Sequence, residues 1–536
     1  MRKLIACAIG ILMAFSFAAP GNAMPVASGN NVHTFQAGAF EAHDGWYSGE
    51  ILVGWHGNGN NTTDLTFTGN TGDVVATPFT VESNKQREGA VGVEIEMTAE
   101  EQEVVFTLTR VNGKSLTTTV EVPALYADTV TTHALRTAIN PGYYYSGALI
   151  DAGITMTAGS VDKDSFLAKA RVTEYNGDVQ GGFGNFGWDP EKSDYALGDG
   201  WAMWNVVDAY VSDADGNRVE KGQYVKLDIE WGTRTVEAGN AAERYDVPAT
   251  RAAWYVGASP WTSYMSFATV DLEIEPTASA PVGLLDADFV QGETQHDPLF
   301  DQFQLSEAPG GGMAALYTPD NATADNRRPL LVWFHGTGER YNGGNAGGNL
   351  VGNRALSFAD EEFQSALDGA YVLAPQSTTS GWNQSRLADM EQLIQSVIDN
   401  NHVDPDRVYV GGLSMGTGMT TPLITSLNEG AIDFAAAMLV SGGGLSAAQA
   451  GIVADKGIAV YLVGNTSDGA ANNQPAALEN LLAAGADAKM MRYPAGPVFD
   501  GTYYYGAHDS WNYVYNNLVV DEEGVTIFEW LANQRR

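Results

Sequence analysis

The sequence contains almost no cysteine. Cys7 is the only one among 536 residues, and it lies inside an N-terminal segment that we predict to be removed. A mature chain without cysteine has no disulfide bonds and no thiolate nucleophile, and it holds no metal through cysteine ligands. These three kinds of chemistry are therefore excluded.

Basic residues are also scarce. The chain has 28 Lys and Arg residues against 65 Asp and Glu residues, a formal net charge of −37 at pH 7. The acidic excess is shared between the two halves of the chain and does not form a tail. An evenly acidic surface repels nucleic acid and anionic lipid, so we expect neither as a partner.

Long apolar runs are missing beyond the N-terminus. Met1-Arg2-Lys3 is a short basic start, residues 4–18 are apolar, and Gly21-Asn22-Ala23 offers small residues for cleavage. This pattern predicts a secretory signal peptide over residues 1–23 and an extracellular protein. No other run approaches the roughly 20 apolar residues of a membrane helix, so we expect no membrane insertion.

The remaining chain is too long for one core, and its patterning changes once. Short alternating segments with hairpin signals at Asn112-Gly113 and Asp215-Gly216 predict two all-β sandwiches, over residues 24–125 and 126–285. From residue 286 to 536, compact apolar runs alternate with segments of helical spacing. This alternation predicts an α/β domain with a mostly parallel sheet flanked by helices.

The chemistry of that domain is indicated by Gly412-Leu413-Ser414-Met415-Gly416, which follows the strand-like run 408–410. Gly-x-Ser-x-Gly between a strand and a helix is typical of a turn that lifts a nucleophilic serine above a sheet edge. The motif alone is weak, because a glycine-rich chain contains it by chance. It becomes persuasive only with an oxyanion turn before it and an acid and a histidine after it.

An oxyanion turn is predicted at His335-Gly336-Thr337, directly after the apolar run 330–334. The backbone N–H groups of Thr337 and Met415 are the expected pair of donors to the developing oxyanion. An ordinary turn at the end of a strand is the alternative interpretation of this segment.

The base and the acid follow from their places in the α/β alternation. Of the three histidines after residue 300, His335 belongs to the oxyanion turn and His402 precedes its strand, which leaves His508 as the base. Asp468 follows the apolar run 458–463 and is the candidate acid. The order Ser414, Asp468, His508 along the chain is the one expected for an α/β-hydrolase. Asp455, Asp500 and Asp509 are less well placed.

These segments resemble esterases of the polyhydroxybutyrate-depolymerase and feruloyl-esterase-like branch of the α/β-hydrolases. The resemblance covers residues 129–536 and is carried by His335-Gly336-Thr337-Gly338-Glu339-Arg340, Ala374-Pro375-Gln376, residues 404–416 and His508-Asp509-Ser510-Trp511. It implies an immunoglobulin-like sandwich ahead of the catalytic domain, a serine triad, carboxylic-ester substrates and no cofactor, and the first β module, residues 24–125, lies outside it. Thr417 and the loop 342–352 depart from the pattern.

Two tryptophans are candidate contacts for the substrate. Trp382 follows a predicted strand and Trp511 follows His508, so both are expected near the catalytic rim, where they either bind an acyl or alcohol group or pack in the core. The substrate is expected to be a small or polymeric ester, and no metal site is predicted. The oligomeric state is left open.

Two other functions compete with ester hydrolysis. A serine peptidase of the same fold would use the same three side chains. A polymer-binding surface protein would use its β modules for attachment and carry only an accessory esterase.

Overall fold

The computed structural model describes most of the chain after residue 23. The described residues are 24–27, 32–43, 46–55, 62–68, 73–76, 88–98, 101–109, 114–125, 127, 129–139, 142–172, 196–198, 201–231, 233–235, 244–246, 250, 252–256, 263–496, 498–499 and 504–536. The predicted signal peptide over residues 1–23 lies outside them. Within these ranges, no helix has the length and apolar character needed to cross a membrane.

The first β module consists of two facing sheets. Alternate residues of its strands point inward, so Val91, Val93 and Ile95 of one sheet are buried against Val104 and Phe106 of the other. The strands are β1 (Met24–Ala27), β2 (Val32–His43), β3 (Trp46–Trp55), β4 (Thr62–Thr68), β5 (Val74–Ala76), β6 (Glu88–Glu96), β7 (Gln102–Thr109) and β8 (Ser115–Val122). They form two sheets with the strand orders β1-β4-β7-β8 and β2-β3-β6-β5.

The second β module has the same layered build. Its main strands are β9 (Thr129–Ile139), β10 (Gly142–Thr157), β11 (Phe166–Val172), β12 (Ala196–Gly198), β13 (Trp201–Trp204), β14 (Val206–Ser212), β15 (Lys221–Ile229), β20 (Val270–Pro276) and β21 (Asp288–Gln291). They form the sheets β14-β15-β10-β9-β21 and β12-β13-β11-β20. Because β21 pairs with β9, this sheet continues past residue 285, where we expected the next domain to begin.

Two short hairpins accompany this module. They are formed by β16 (Thr233–Thr235) with β17 (Arg244–Asp246) and by β18 (Ala253–Val256) with β19 (Tyr264–Phe267). The β18–β19 hairpin packs on the next domain: Met265 is fully buried in one apolar cluster with Leu350 and Val351.

The third region is built on a mixed eight-stranded sheet in the order β22-β23-β25-β24-β26-β27-β28-β29. Its second strand pairs antiparallel with both neighbours, and the other seven strands all run in the same direction. The strands are β22 (Phe303–Glu307), β23 (Met313–Tyr317), β24 (Arg328–Phe334), β25 (Tyr371–Gln376), β26 (Val403–Leu413), β27 (Ala436–Val440), β28 (Ala459–Asn465) and β29 (Ala488–Tyr493). A final hairpin, β30 (Val498–Phe499) and β31 (Tyr504–Tyr505), follows.

Helices cover both faces of this sheet, which explains why its central strands are apolar throughout. In β24, Leu331 and Trp333 are buried on one face, and Leu330 and Val332 on the other. The helices are α1 (Gly348–Val351), α2 (Glu361–Ala366), α3 (Leu387–Asn400), α4 (Thr417–Ile424), α5 (Ala447–Asp455), α6 (Gln474–Ala483), α7 (Trp511–Tyr515) and α8 (Ile527–Ala532). The predicted α/β architecture is confirmed at this level.

The parallel strands place the candidate residues at one edge. β24, β26 and β28 have their carboxyl ends on the same side, and the segments that follow them contain His335, Ser414 and Asp468. His402 precedes β26 and therefore lies at the opposite edge, as its sequence position predicts.

Candidate active site

Ser414 lies in a tight turn between β26 and α4. Its backbone has φ of 48°, a left-handed conformation that is unfavourable for a residue with a side chain. The flanking glycines make this turn possible. A Cβ at Gly412 would lie 2.8 Å from the backbone of Gly416, and a Cβ at Gly416 would collide with the carbonyl oxygen of Phe334.

His508 lies between Ser414 and Asp468. Its Nε2 is 2.9 Å from Ser414 Oγ, and its Nδ1 is 2.9 Å from Asp468 Oδ1. The turn after β28 holds Asp468 in place, because the N–H of Ala470 donates to the same Oδ1 at 2.9 Å. The three predicted residues thus form one continuous hydrogen-bonded chain.

The surroundings of His508 set its protonation. Burial lowers the pKa of His508, but the hydrogen bond and the negative charge of Asp468 together outweigh burial and raise this pKa above 6.5. The Asp468 side chain is 4% exposed and that of His508 is 38% exposed. In the neutral ring Nδ1 carries the proton towards Asp468, so Nε2 is free to accept the proton of Ser414.

The predicted oxyanion turn lies directly beside the serine turn, since Gly416 packs against the carbonyl of Phe334. Among the described residues, no hydrogen bond from the Thr337 N–H is found. Met415 is the second residue of the 3-10 turn Ser414–Gly416, where N–H groups lack partners within the helix. Both residues are half-buried, and their N–H groups stay the predicted oxyanion donors.

His335 is a structural residue of this turn. Its ring is 1% exposed; Nδ1 donates to the Gly336 carbonyl at 2.7 Å, and Nε2 accepts the Ser377 N–H at 2.9 Å. Burial lowers the pKa of His335 to about 3, so the ring is neutral in the folded protein.

Glu339 holds the turn from inside. Its carboxylate accepts the N–H groups of Gly336 and Asn353, each at 2.9 Å, and the Asn353 side-chain amide at 2.6 Å. Burial raises the pKa of Glu339 to about 8, and these hydrogen bonds oppose the increase. The Gln376 side chain adds a donor to the Glu339 carbonyl at 2.9 Å.

Sequence reasoning gave no role to Asn353 or Gln376. Gln376 ends β25 and was noticed only as part of a motif, whereas Asn353 directly follows the loop 342–352 and belongs to no motif. A polar residue directly after a buried strand is the one signal that marks Gln376.

The two candidate substrate residues are both buried. Trp382 is 7% exposed, its indole N–H donates to the His335 carbonyl at 3.0 Å, and its ring packs edge-on against Phe334. Trp511 is 4% exposed and packs edge-on against the His508 ring at 5.2 Å. The structure therefore brings both next to the site, but as packing partners of its residues and not as exposed surfaces for a substrate.

Within the described ranges, no group of three or more His, Cys, Asp or Glu side chains is arranged to hold a metal ion. The side chains at this edge instead suit nucleophilic chemistry: a serine, a histidine in contact with it and a carboxylate behind the histidine.

Comparisons with known proteins bear on the fold. No family model and no curated protein matches the sequence significantly. A solved thermostable esterase is similar at 20% identity with a TM-score of 0.55, over 76% of this chain and all of that one.

Two further solved structures match over shorter regions. A feruloyl esterase module from Clostridium thermocellum matches at 16% identity, over 40% of this chain and 84% of its own, with a TM-score of 0.30. A thermophilic esterase from Thermogutta terrifontis matches at 14%, over 40% and 89%, also with 0.30. From the first match and the order of the sheet strands, the chain has a fold of the α/β-hydrolase type.

Proposed function

We propose that this protein is a serine hydrolase that cleaves carboxylic esters through an acyl-enzyme. One observation carries the proposal: a single imidazole, that of His508, is 2.9 Å from both Ser414 Oγ and Asp468 Oδ1. The left-handed serine turn and the adjacent main-chain donors support the same chemistry.

In the first step Ser414 Oγ attacks the ester carbonyl carbon while His508 Nε2 takes the hydroxyl proton. Asp468 stabilises the imidazolium and keeps Nδ1 protonated. The carbonyl oxygen becomes an oxyanion and is held by the N–H groups of Thr337 and Met415. The C–O bond to the alcohol then breaks, and His508 donates its proton to the leaving oxygen.

The second step regenerates the serine. A water molecule gives a proton to His508 Nε2 and attacks the acyl carbon, and the same two N–H groups hold the second oxyanion. Breakage of the bond to Ser414 Oγ releases the carboxylic acid, and the proton on His508 returns to the serine.

The motif resemblance supports a place in the polyhydroxybutyrate-depolymerase and feruloyl-esterase-like branch. On that basis we propose short-chain acyl esters, or esters within polyesters or polysaccharides, as substrates. We also propose that residues 1–23 direct secretion and that the second β module is immunoglobulin-like.

The test measures hydrolysis of p-nitrophenyl acetate and butyrate. Ser414→Ala and His508→Ala should each lower kcat by roughly 10⁴-fold or more, because either change disables the nucleophile and its base together. His402→Ala is the matched control, since this exposed histidine lies at the opposite sheet edge and should retain full activity. Activity like wild type in Ser414→Ala would refute the proposal.

A parallel panel of p-nitrophenyl esters and aminoacyl p-nitroanilides separates an esterase from a peptidase. We expect turnover of the esters alone. Faster hydrolysis of the anilides would replace the proposal with a peptidase, and both activities should then depend on Ser414.

A further inference from the structure

We infer that Arg340 is a positioning residue that connects the second β module to the serine turn. In this role it fixes the positions of the two proposed oxyanion donors, the N–H groups of Thr337 and Met415, relative to each other. The inference rests on the proposed function and deepens it. It assigns a role in the reaction to a residue that touches no reacting atom, and through it to the β18–β19 hairpin.

The Arg340 side chain bridges two parts of the molecule. One terminal nitrogen, Nη1, donates to the main-chain carbonyl of Ser263 at 3.2 Å, immediately before β19 of the second β module. The other, Nη2, lies 3.0 Å from Sδ of Met415, the residue that follows the nucleophile. One planar guanidinium therefore spans from the hairpin to the serine turn.

Arg340 is also joined to the other donor through the backbone. It ends the segment 335–340, three residues after Thr337, and its own carbonyl accepts the Asn345 side-chain amide at 2.7 Å. Displacement of the guanidinium would therefore change the relation between the Thr337 and Met415 N–H groups.

The hairpin that receives Arg340 is firmly seated. Met265 in β19 is fully buried, and a Cβ at Gly348 would lie 3.5 Å from the Met265 Cβ. Next to the guanidinium, a Cβ at Gly381 would lie 2.9 Å from Met415 Sδ and 3.3 Å from Arg340 Nε, so packing around this contact is tight. Gly381 also has φ of 69°, which favours glycine.

The guanidinium is poorly compensated for a buried charge. Arg340 is 5% exposed, its Nε has no hydrogen-bond partner among the described residues, and one of its two contacts is a weak thioether acceptor. Burial lowers the pKa of Arg340, and no carboxylate among the described residues opposes this shift. Replacing an unpaired buried charge by an apolar side chain of similar length removes the cost of keeping that charge out of water. If Arg340 acts by positioning the serine turn, its replacement by an apolar residue should therefore lower activity without lowering stability.

The first experiment compares Arg340→Met and Arg340→Lys with Arg386→Met in the full-length protein. Arg386 is the matched control: it is 8% exposed and donates to the main-chain carbonyls of Pro309, Gly310 and Gly311, none of which belongs to the serine turn or the oxyanion turn. We measure kcat, KM, the unfolding temperature and affinity for an alkyl trifluoromethyl ketone, which forms an oxyanion on the serine.

For Arg340→Met we expect kcat to fall roughly 10- to 100-fold, since small displacements of oxyanion donors have effects of this size. Affinity for the ketone should fall by the same factor, whereas KM and the unfolding temperature stay near wild type. Arg340→Lys should recover only part of kcat, because an ammonium lacks the planar fork. Arg386→Met should lose stability and keep kcat. A wild-type kcat in Arg340→Met, or equal losses of kcat and stability in both methionine variants, would overturn the inference.

A second pair of variants tests the hairpin. Met265→Ala and Met156→Ala each remove a methionine that is at most 1% exposed in the second β module. Met156 lies near the last residue of β10 and pairs with Gly222 of β15, whereas the hairpin lies beside the first residues of β10. Both should lower the unfolding temperature, and only Met265→Ala should lower kcat and ketone affinity. Equal kcat in the two variants would remove the hairpin from the inference.

The Ser414→Ala variant distinguishes failure of the Arg340 inference from failure of the proposed function. If Ser414→Ala is inactive while Arg340→Met is fully active, the inference fails and the proposed function stands. If Ser414→Ala is active, the proposed function fails first.

Discussion

The turn at residues 335–340 and the turn around His508 lie at the same sheet edge and use histidine in opposite ways. In the first, His335 is 1% exposed, and both its ring nitrogens have main-chain partners. In the second, the side chain of His508 is 38% exposed, and both its ring nitrogens contact side chains. Burial lowers the pKa of both rings, and only His508 has a carboxylate that reverses the shift.

This difference separates a group that must stay neutral from one that must change its charge. The main-chain partners of the neutral His335 ring need not move during the reaction, so they keep the turn that contains the proposed oxyanion donor Thr337 rigid. A half-exposed imidazole in contact with a buried carboxylate binds and releases a proton near neutral pH. Four predictions test this comparison.

The largest expected effect is that of Asp468→Asn, which removes the carboxylate that distinguishes His508 from His335. We expect kcat to fall roughly 10³- to 10⁴-fold, because the amide stabilises neither the imidazolium nor the required tautomer. The pKa of His508 should then shift below its wild-type value, since only the charge of Asp509 would still oppose the lowering by burial. The measurement is kcat/KM against pH.

The wild-type profile gives the sign for this test. The base works only as neutral imidazole, so activity should be present above the raised pKa of His508 and lost as the pH falls through it. Asp509→Asn is the control, because Asp509 raises the same pKa only by its charge and should affect kcat little. A larger loss in Asp509→Asn than in Asp468→Asn would exchange the roles of the two acids.

The second prediction concerns acid stability. The pKa of His335 is about 3 in the folded chain against an ordinary 6.5, so the unfolded chain binds the extra proton between these values. The free energy of unfolding should therefore fall as the pH drops below 6.5, by up to about 1.4 kcal/mol per pH unit from this residue. A His335→Asn variant should be less stable at pH 7 but show a flatter decline between pH 6.5 and 4. Parallel declines in denaturant titrations of the two proteins would contradict the prediction.

Much of this edge could be predicted from the sequence, for a physical reason. Strands buried on both faces must be apolar throughout, so β24, β26 and β28 stand out, and the segments after them must meet at one edge. The proximity of Ser414 and Asp468 follows from that rule. His508 instead follows the separate hairpin β30–β31, and its hydrogen bonds to both residues show its place only in the structure. Their chemical roles stay predictions until the variants are measured.

The parts that could not be predicted are half-exposed or depend on side-chain direction. β22 contains exposed polar residues such as Gln304 and Glu307, and β21 joins the preceding module by pairing with a strand far away in sequence. The spacing of Trp382 predicts that it lies near the site, but not that its ring lies beneath the turn. Direction is set by tertiary partners, here the His335 carbonyl.

The third prediction probes the framework of the first turn. Asn353→Ala removes the side-chain amide that donates to Glu339 Oε2 at 2.6 Å, in a residue only 6% exposed. Loss of a buried hydrogen bond to an acidic group should lower the free energy of unfolding by about 1.5–3 kcal/mol. The loss of kcat should be smaller than in Asp468→Asn, because the Asn353 N–H still donates to Glu339. Denaturant unfolding and kcat measured on one preparation test both statements, and unchanged stability would show that this contact does not support the turn.

The smallest expected effect is that of Trp382→Phe, which decides between the two interpretations of this residue. If Trp382 packs beneath the turn, losing the indole N–H bond to the His335 carbonyl should lower stability by about 1 kcal/mol. KM should then stay constant for p-nitrophenyl esters from acetyl to octanoyl, because the ring offers the substrate almost no surface. A KM that rises with acyl length in Trp382→Phe, but not in a matched Trp333→Phe variant of the sheet core, would show that Trp382 contacts the acyl group of the substrate.

Trp333 is the appropriate reference because it is 1% exposed and its indole N–H also makes one buried hydrogen bond, to the Tyr515 hydroxyl at 2.9 Å. Comparing the two variants therefore removes the general cost of losing such a bond and leaves only the contact with the acyl chain.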